Sequence, residues 1–141
     1  MKDFVPFGLA IKLREKGFRE DCIAYYHTDG ELLYNSDEYR GGDYRSLLMS
    51  YNSLPKNPIG CEQIDAPTIH QVLNWLREEK NMYIEMFLYN RTYSYFVKSI
   101  TKISEDDHFH QCLNEDTTDI EYETYEDAAL AGIEYVIDNL I

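Results

Sequence analysis

The stretch that most constrains this 141-residue chain is the pair of alternating runs on either side of Asn90-Arg91. Between residues 82 and 89, Ile84, Met86 and Leu88 fall on one side of an extended chain, and Tyr83, Glu85, Phe87 and Tyr89 on the other, because successive strand side chains point to opposite faces. Residues 92–101 repeat the alternation with tyrosine and β-branched side chains, which suit a pleated, half-buried surface. Two such runs joined by a two-residue turn predict a β-hairpin. A shorter hairpin is expected earlier, where an aromatic and apolar run at 22–27 is followed by the turn Thr28-Asp29-Gly30 and a second run at 31–34.

Three helices are expected around these hairpins. The first spans residues 6–16, with Pro6 in its first turn, Leu9, Ala10 and Leu13 on one stripe, Phe7 and Ile11 on a second, and Gly17 closing it. The second runs to Lys80 from a start at Pro67, and Ile69, Val72, Leu73 and Leu76 recur at helical spacing opposite His70, Asn74, Arg77 and Glu78. In the third, Thr124 caps a helix whose stripe is Ala129, Gly132, Ile133, Val136, Ile137 and Leu140, with Glu126 and Asp127 in the dipole-favoured first turn. Within this stripe Gly132 reads as a point of close helix packing.

The expected fold is therefore α+β, in the order α-β-β-α-β-β-α: an antiparallel sheet of two hairpins with three helices packed mainly on one face. A chain of this length suits a single domain over 1–141. A long irregular connection at about 35–65 contains Gly41-Gly42, Pro55, Pro58 and Gly60; a connection of that length should contain some short element. Asp43 could cap a helical turn through Tyr44, Leu47, Leu48 and Tyr51, or the same run could be an edge strand. Residues 104–123 are acidic and weakly patterned, with a strand expected in either 108–113 or 120–123.

Charge bounds the partners. The chain has 13 Lys and Arg against 26 Asp and Glu, a net charge of -13, and the excess is segregated. Residues 105–141 hold 12 acidic and no basic residues, whereas residues 1–104 are close to neutral. Phosphate backbones are bound through Lys and Arg, so direct nucleic-acid binding is not expected. At 44% hydrophobic and 28% charged residues, with no long apolar run, the composition is that of a soluble globular protein without a membrane span. Lys2, Asp3, Pro6, Lys12 and Arg14 interrupt the N-terminal apolar residues, which do not read as a signal peptide. The three widely spaced cysteines, Cys22, Cys61 and Cys112, suit reduced thiols in a cytoplasm.

A set of short motifs resembles a family of small uncharacterised proteins of gut bacterial genomes, often found in prophages or other mobile elements. The matching residues are Leu9-Ala10 with Leu13, Lys16-Gly17-Phe18, Ala66-Pro67-Thr68 with Gln71-Val72, Trp75-Leu76-Arg77-Glu78 and Thr124-Tyr125-Glu126-Asp127-Ala128. They are mainly helix caps and core positions. The resemblance covers most of the chain and implies a mobile-element setting, with no activity, ligand or catalytic residue attached to it.

The sharpest chemical constellation is His108-x-His110-x-Cys112, three metal-competent side chains on one face of an extended segment, with Asp106, Asp107 or Glu115 able to add a fourth. Against it, structural zinc sites usually draw on two separated ligand pairs. Asp116, Asp119, Glu121 and Glu123 offer oxygen ligands but lack the glycine and ligand order of a calcium loop. Cys22 and His27 lie five apart on an expected strand, hence on opposite faces, and Cys22 reads as a small core residue. Gly41-Gly42 lacks the Lys and Ser or Thr of a phosphate loop. Glu78-Glu79 and Asp106-Asp107 read as solvated faces, and His70 as a surface histidine. No catalytic residue and no cofactor are assigned.

The tyrosines offer an alternative to chemistry. Tyr25, Tyr26, Tyr83, Tyr89, Tyr93 and Tyr95 all lie on the expected hairpins, and a sheet with one buried face can display their phenols on the other. The leading expectation is a non-enzymatic protein-binding or adaptor domain of a phage or mobile element, using that face, the acidic region, or both. A homodimer through the face is a variant of it. The alternatives are an acidic DNA mimic that inhibits a DNA-binding enzyme, which would explain the segregated charge, and a metal-dependent enzyme at His108, His110 and Cys112.

Overall fold

A computed structural model describes residues 3–38, 44–46, 48–54, 63–102, 104–115 and 119–141. They form two compact units, Asp3–Thr68 and Ile69–Ile141. The chain is α+β, and its elements follow the expected alternation of helices and hairpins.

In the first unit, α1 (Phe7–Glu15) begins one residue later than expected, with Pro6 flanking it in extended geometry at ψ 156°. Its C-terminus closes as a Schellman motif. Phe18 N–H donates to the Leu13 carbonyl at 3.0 Å, Gly17 N–H donates to Arg14 at 3.2 Å, and Gly17 takes φ +94°, where a side chain would be strained. Leu9, Ala10 and Leu13 are buried, as is Phe18. The expected hairpin is β1 (Ala24–Tyr26) with β2 (Leu32–Tyr34), pairing Ala24 with Tyr34 and Tyr26 with Leu32.

Within 35–65 the described residues are 35–38, 44–46, 48–54 and 63–65. They hold β3 (Ser36–Glu38) antiparallel to β4 (Tyr44–Ser46), a 3-10 turn at Tyr51–Ser53, and β5 (Ile64–Asp65), which joins β1 and completes a sheet of order β2-β1-β5. The strand reading of the run after Asp43 thus holds over Tyr44–Ser46, while Asp43 itself and Gly41-Gly42 lie outside the described residues. The ends of the unit are tied together, since Val5 N–H donates to the Pro67 carbonyl at 3.0 Å and the Tyr26 hydroxyl donates to the Val5 carbonyl at 2.6 Å.

The second unit begins with α2 (Ile69–Lys80), which starts after Pro67. Ile69, Val72, Trp75 and Leu76 are its buried residues; Trp75 takes the place expected for Leu73, so the buried stripe is rotated slightly from the one read in the sequence. β6 (Met82–Tyr89), β7 (Thr92–Lys102) and β8 (His108–Cys112) form a second antiparallel sheet of order β6-β7-β8. The two hairpins therefore lie in separate sheets, each with its own third strand: β5 beside β1, and β8 beside β7. Of the two strands considered in the acidic segment, the first is β8, and the second contributes only the bridge of Tyr122 to Tyr93.

The last helix, α3 (Tyr125–Asn139), is capped as expected, with the Asp127 N–H donating to the Thr124 hydroxyl at 3.1 Å. Ala129, Gly132, Ile133, Val136 and Ile137 are buried. No helix among the described residues is long and apolar enough to cross a membrane.

Gly132 sets how closely α3 approaches the sheet. A Cβ there would lie 2.7 Å from Ile84 Cγ2 and 3.2 Å from Tyr95 Cδ2. Alanine is the better helix former by about 1 kcal/mol, but overpacking a core costs about 1–3 kcal/mol, and the Tyr95 ring is almost wholly enclosed. Gly132→Ala is expected to lower the unfolding free energy by about 1 kcal/mol in urea titration, and the penalty should disappear in an Ile84→Ala background. A stabilising Gly132→Ala in the unaltered chain would show that the contact is not tight.

Candidate functional site

The most developed surface feature of the second unit arises from the register of β6 against β7. Asn90 and Arg91 both take positive φ, +47° and +71°, the geometry of a type I′ turn, whose twist suits a two-residue hairpin. That turn pairs Tyr89 with Thr92, Phe87 with Ser94 and Glu85 with Phe96. All of these side chains share the face opposite Ile84 and Tyr95, the residues against which α3 packs. Phe87 and Phe96 are diagonal neighbours on it, with ring centroids 4.5 Å apart and planes 21° from parallel. Both are half-buried, whereas Tyr89 is 63% exposed.

Ser94, only 4% exposed, lies between the aromatic side chains. Around it runs a groove of about 280 Å³ lined by Phe87, Tyr89, Thr92 and Phe96 together with Asp119 and Glu121. The two carboxylates reach the groove because Tyr122 pairs with Tyr93 through two backbone hydrogen bonds, of 2.8 and 2.7 Å. Beyond the groove on the same face, Lys98 Nζ donates to Glu85 Oε2 at 2.8 Å and lies 5.7 Å from the centre of the Phe96 ring. The result is an aromatic furrow with an acidic lip.

In the first unit the notable cluster is buried. Asp65, on β5, is fully enclosed. Its carboxylate accepts hydrogen bonds from Ser50 Oγ at 2.9 Å, Tyr51 N–H at 2.7 Å and Asn52 N–H at 3.1 Å. Asn52 answers by accepting from the Asp65 N–H at 3.2 Å and donating to the Phe18 carbonyl at 3.0 Å. Burial pushes the Asp65 carboxyl above its usual range, and the donors from Asn52, Tyr51 and Ser50 pull against that rise. Burial likewise raises the Cys22 thiol, with the negative charge of Asp65 adding to the effect. A fully buried thiol held protonated is a poor nucleophile, which agrees with reading Cys22 as a core residue. The cluster fastens the 3-10 turn to the sheet.

The strand containing His108, His110 and Cys112 does set all three on one face of β8, the face that carries Phe96 and Lys98. Being on one face does not make them converge. At the rise of an extended strand His108 and Cys112 stand about 13 Å apart, too far to meet at one ion whose ligands lie about 2 Å away. Both histidines are exposed, and Cys112 Sγ lies 3.5 Å from Asn114 Oδ1. Among the described residues no three His, Cys, Asp or Glu side chains are grouped as a metal ion would require. Of the acidic set, Asp119, Glu121 and Glu123 are exposed and Asp116 lies outside the described residues, as does Cys61. His70, Glu78 and Glu79 are exposed on α2, and Asp106 and Asp107 are exposed before β8.

The tyrosines divide differently from the expectation of a phenol-bearing face. Tyr26 and Tyr95 are buried, and Tyr95 is on the side covered by α3. The displayed face is centred instead on Phe87 and Phe96, with Tyr83 and Tyr89 at its margins. The strand alternation put Phe87 with Tyr83, Glu85 and Tyr89 without assigning that side to solvent; the two-residue turn, which fixes the parity of β7 against β6, adds Phe96 to it. Compared with known proteins, the chain matches no family, no curated protein and no solved structure.

Proposed function

We propose that this chain is a non-enzymatic protein-binding module that docks a partner on the Phe87–Phe96 face of β6 and β7. The observation that carries the reading is the stacked, half-exposed phenylalanine pair beside a groove on a sheet face opposite the helix. Aromatic side chains of this kind anchor protein interfaces because they supply a large contact area with little conformational freedom to lose. A strand-borne site is also preorganised, so little ordering entropy opposes association.

A photo-crosslinking amino acid at Tyr89 tests this against the same group at Asn139, an exposed position near the end of α3. Position 89 is expected to yield a discrete crosslinked protein that position 139 does not, and Phe87→Ser or Phe96→Ser should abolish it while circular dichroism remains unchanged. A crosslink to a second copy would identify the partner as the chain itself. Equal crosslinking from both positions, or crosslinking indifferent to both Phe substitutions, would refute the reading.

The charge segregation favours a second reading, an acidic decoy for a DNA-binding surface, since all 12 carboxylates of residues 105–141 belong to this unit. It predicts the reverse sensitivity: capture lost on neutralising Asp106 and Asp107, remote in sequence from the groove, and retained in the two Phe variants.

A further inference from the structure

Resting on that docking face, we infer that the groove receives a cationic side chain of the partner, arginine above lysine. Its walls are aromatic and its lip is acidic, a combination that neither a neutral apolar anchor nor an anion would exploit. Among the described residues, Asp119 and Glu121 have no ion-pair partner. Residues 105–141 hold no Lys or Arg that could supply one from the same stretch of chain. The face already accommodates one cation, because Lys98 Nζ lies over the Phe96 ring while paired with Glu85.

The groove repeats those two elements, an aromatic ring and a carboxylate, with no cation among the described residues that line it. Its volume of about 280 Å³ suits one long side chain and lies at the lower limit of small-molecule sites. Arginine is favoured because its planar guanidinium stacks on an aromatic face and can meet two carboxylates through separate N–H groups, whereas an ammonium is a compact, strongly hydrated point charge.

Two peptides decide the matter, acetyl-Gly-Leu-Arg-Leu-Gly-amide and the same sequence with citrulline, which keeps the planar shape of arginine but carries no charge and has a carbonyl oxygen in place of one NH2 group. In NMR titrations the arginine peptide is expected to bind about tenfold more tightly, to shift the signals of Phe87, Ser94 and Phe96, and to weaken as salt is raised. The exposed double substitution Asp119→Asn with Glu121→Gln should bring the two peptides to equal affinity without altering the fold, while Phe87→Ser weakens both. Equal affinity for the two peptides in the unaltered chain, or shifts confined to other surfaces, would overturn cation recognition. The docking face would survive that result if the crosslink at position 89 still depended on Phe87 and Phe96, and would fall with it if the crosslink did not.

Discussion

Asp65→Ala is expected to lower the unfolding free energy by about 3–5 kcal/mol, because it strips two buried donors and one part-buried donor of their acceptor at once. The Ser50 hydroxyl and the N–H groups of Tyr51 and Asn52 all point at this carboxylate, and Asp65 is fully enclosed. The substitution also removes what holds the 3-10 turn to β5, so the loss should be local as well as global: the amides of Tyr51 and Asn52 should exchange with solvent much faster than those of β1. Asp65→Asn keeps the shape but turns an amide toward N–H donors, and should cost about 1.5–3 kcal/mol. A loss below about 1 kcal/mol for Asp65→Ala would mean that water or a rearranged turn satisfies the donors.

The same carboxyl gives a pH signature whose sign is fixed by burial. Burial raises Asp65 above the ordinary value of 3.8, against the opposing donors of Asn52, Tyr51 and Ser50, and the charge of Asp21 adds to the rise. The folded chain therefore binds this proton more tightly than the unfolded chain. Its contribution to stability is complete below 3.8, falls as pH rises through the window between 3.8 and the raised value, and is constant above it. Subtracting the pH profile of Asp65→Asn removes every other titration common to the two proteins. The penalty of Asp65→Asn is expected to be largest at the acid end and to shrink as pH rises through that window; a penalty that grows with pH would show the hydrogen bonds outweighing the burial.

What was legible in the sequence, and what was not, divides by the range of the interaction responsible. The turn at Asn90-Arg91, the cap at Thr124 and the small residue at Gly132 are local features, each read from a handful of neighbours. The alternation of residues 82–89 also placed Phe87 on the face opposite Ile84, Met86 and Leu88, without showing which of the two faces is displayed. Asp65 gave no such signal. Its acceptors face donors 13 to 15 residues away, across a Pro- and Gly-containing stretch whose composition suggests an irregular loop, and an aspartate at the end of such a stretch looks solvated. The same blindness affected the metal motif in the opposite direction: the spacing of His108, His110 and Cys112 told correctly which face they share, but strand rise keeps them apart. The groove needed both kinds of information, since its aromatic walls follow from strand parity, whereas its acidic lip depends on the bridge between Tyr93 and Tyr122, distant in sequence.

Asn114 shows how far a long-range contact can govern that groove. It follows β8, is 1% exposed, and its side chain continues the sheet where the strand stops. Oδ1 accepts the Val97 N–H at 2.7 Å and Nδ2 donates to the Tyr95 carbonyl at 3.0 Å, so one amide replaces the two backbone groups that a longer β8 would have offered. Val97 is fully buried and Tyr95 nearly so. Asn114→Ala should thus leave a donor and an acceptor unpaired in the interior and cost about 2–4 kcal/mol. Asn114→Asp retains the bond from Val97 but sets a carboxylate against the Tyr95 carbonyl, and should recover stability as that carboxylate is protonated. The bonded backbone groups flank Phe96 on either side, which links this stability loss to function: crosslinking from position 89 should decline in Asn114→Ala even where the protein remains folded. Cys112→Ser, which alters the 3.5 Å contact to the same amide, is expected to change stability by less than about 1 kcal/mol. If Asn114→Ala were equally mild, with Val97 exchange unaltered, β7 would be held by its neighbouring strands alone, and the shape of the aromatic furrow would not depend on this amide.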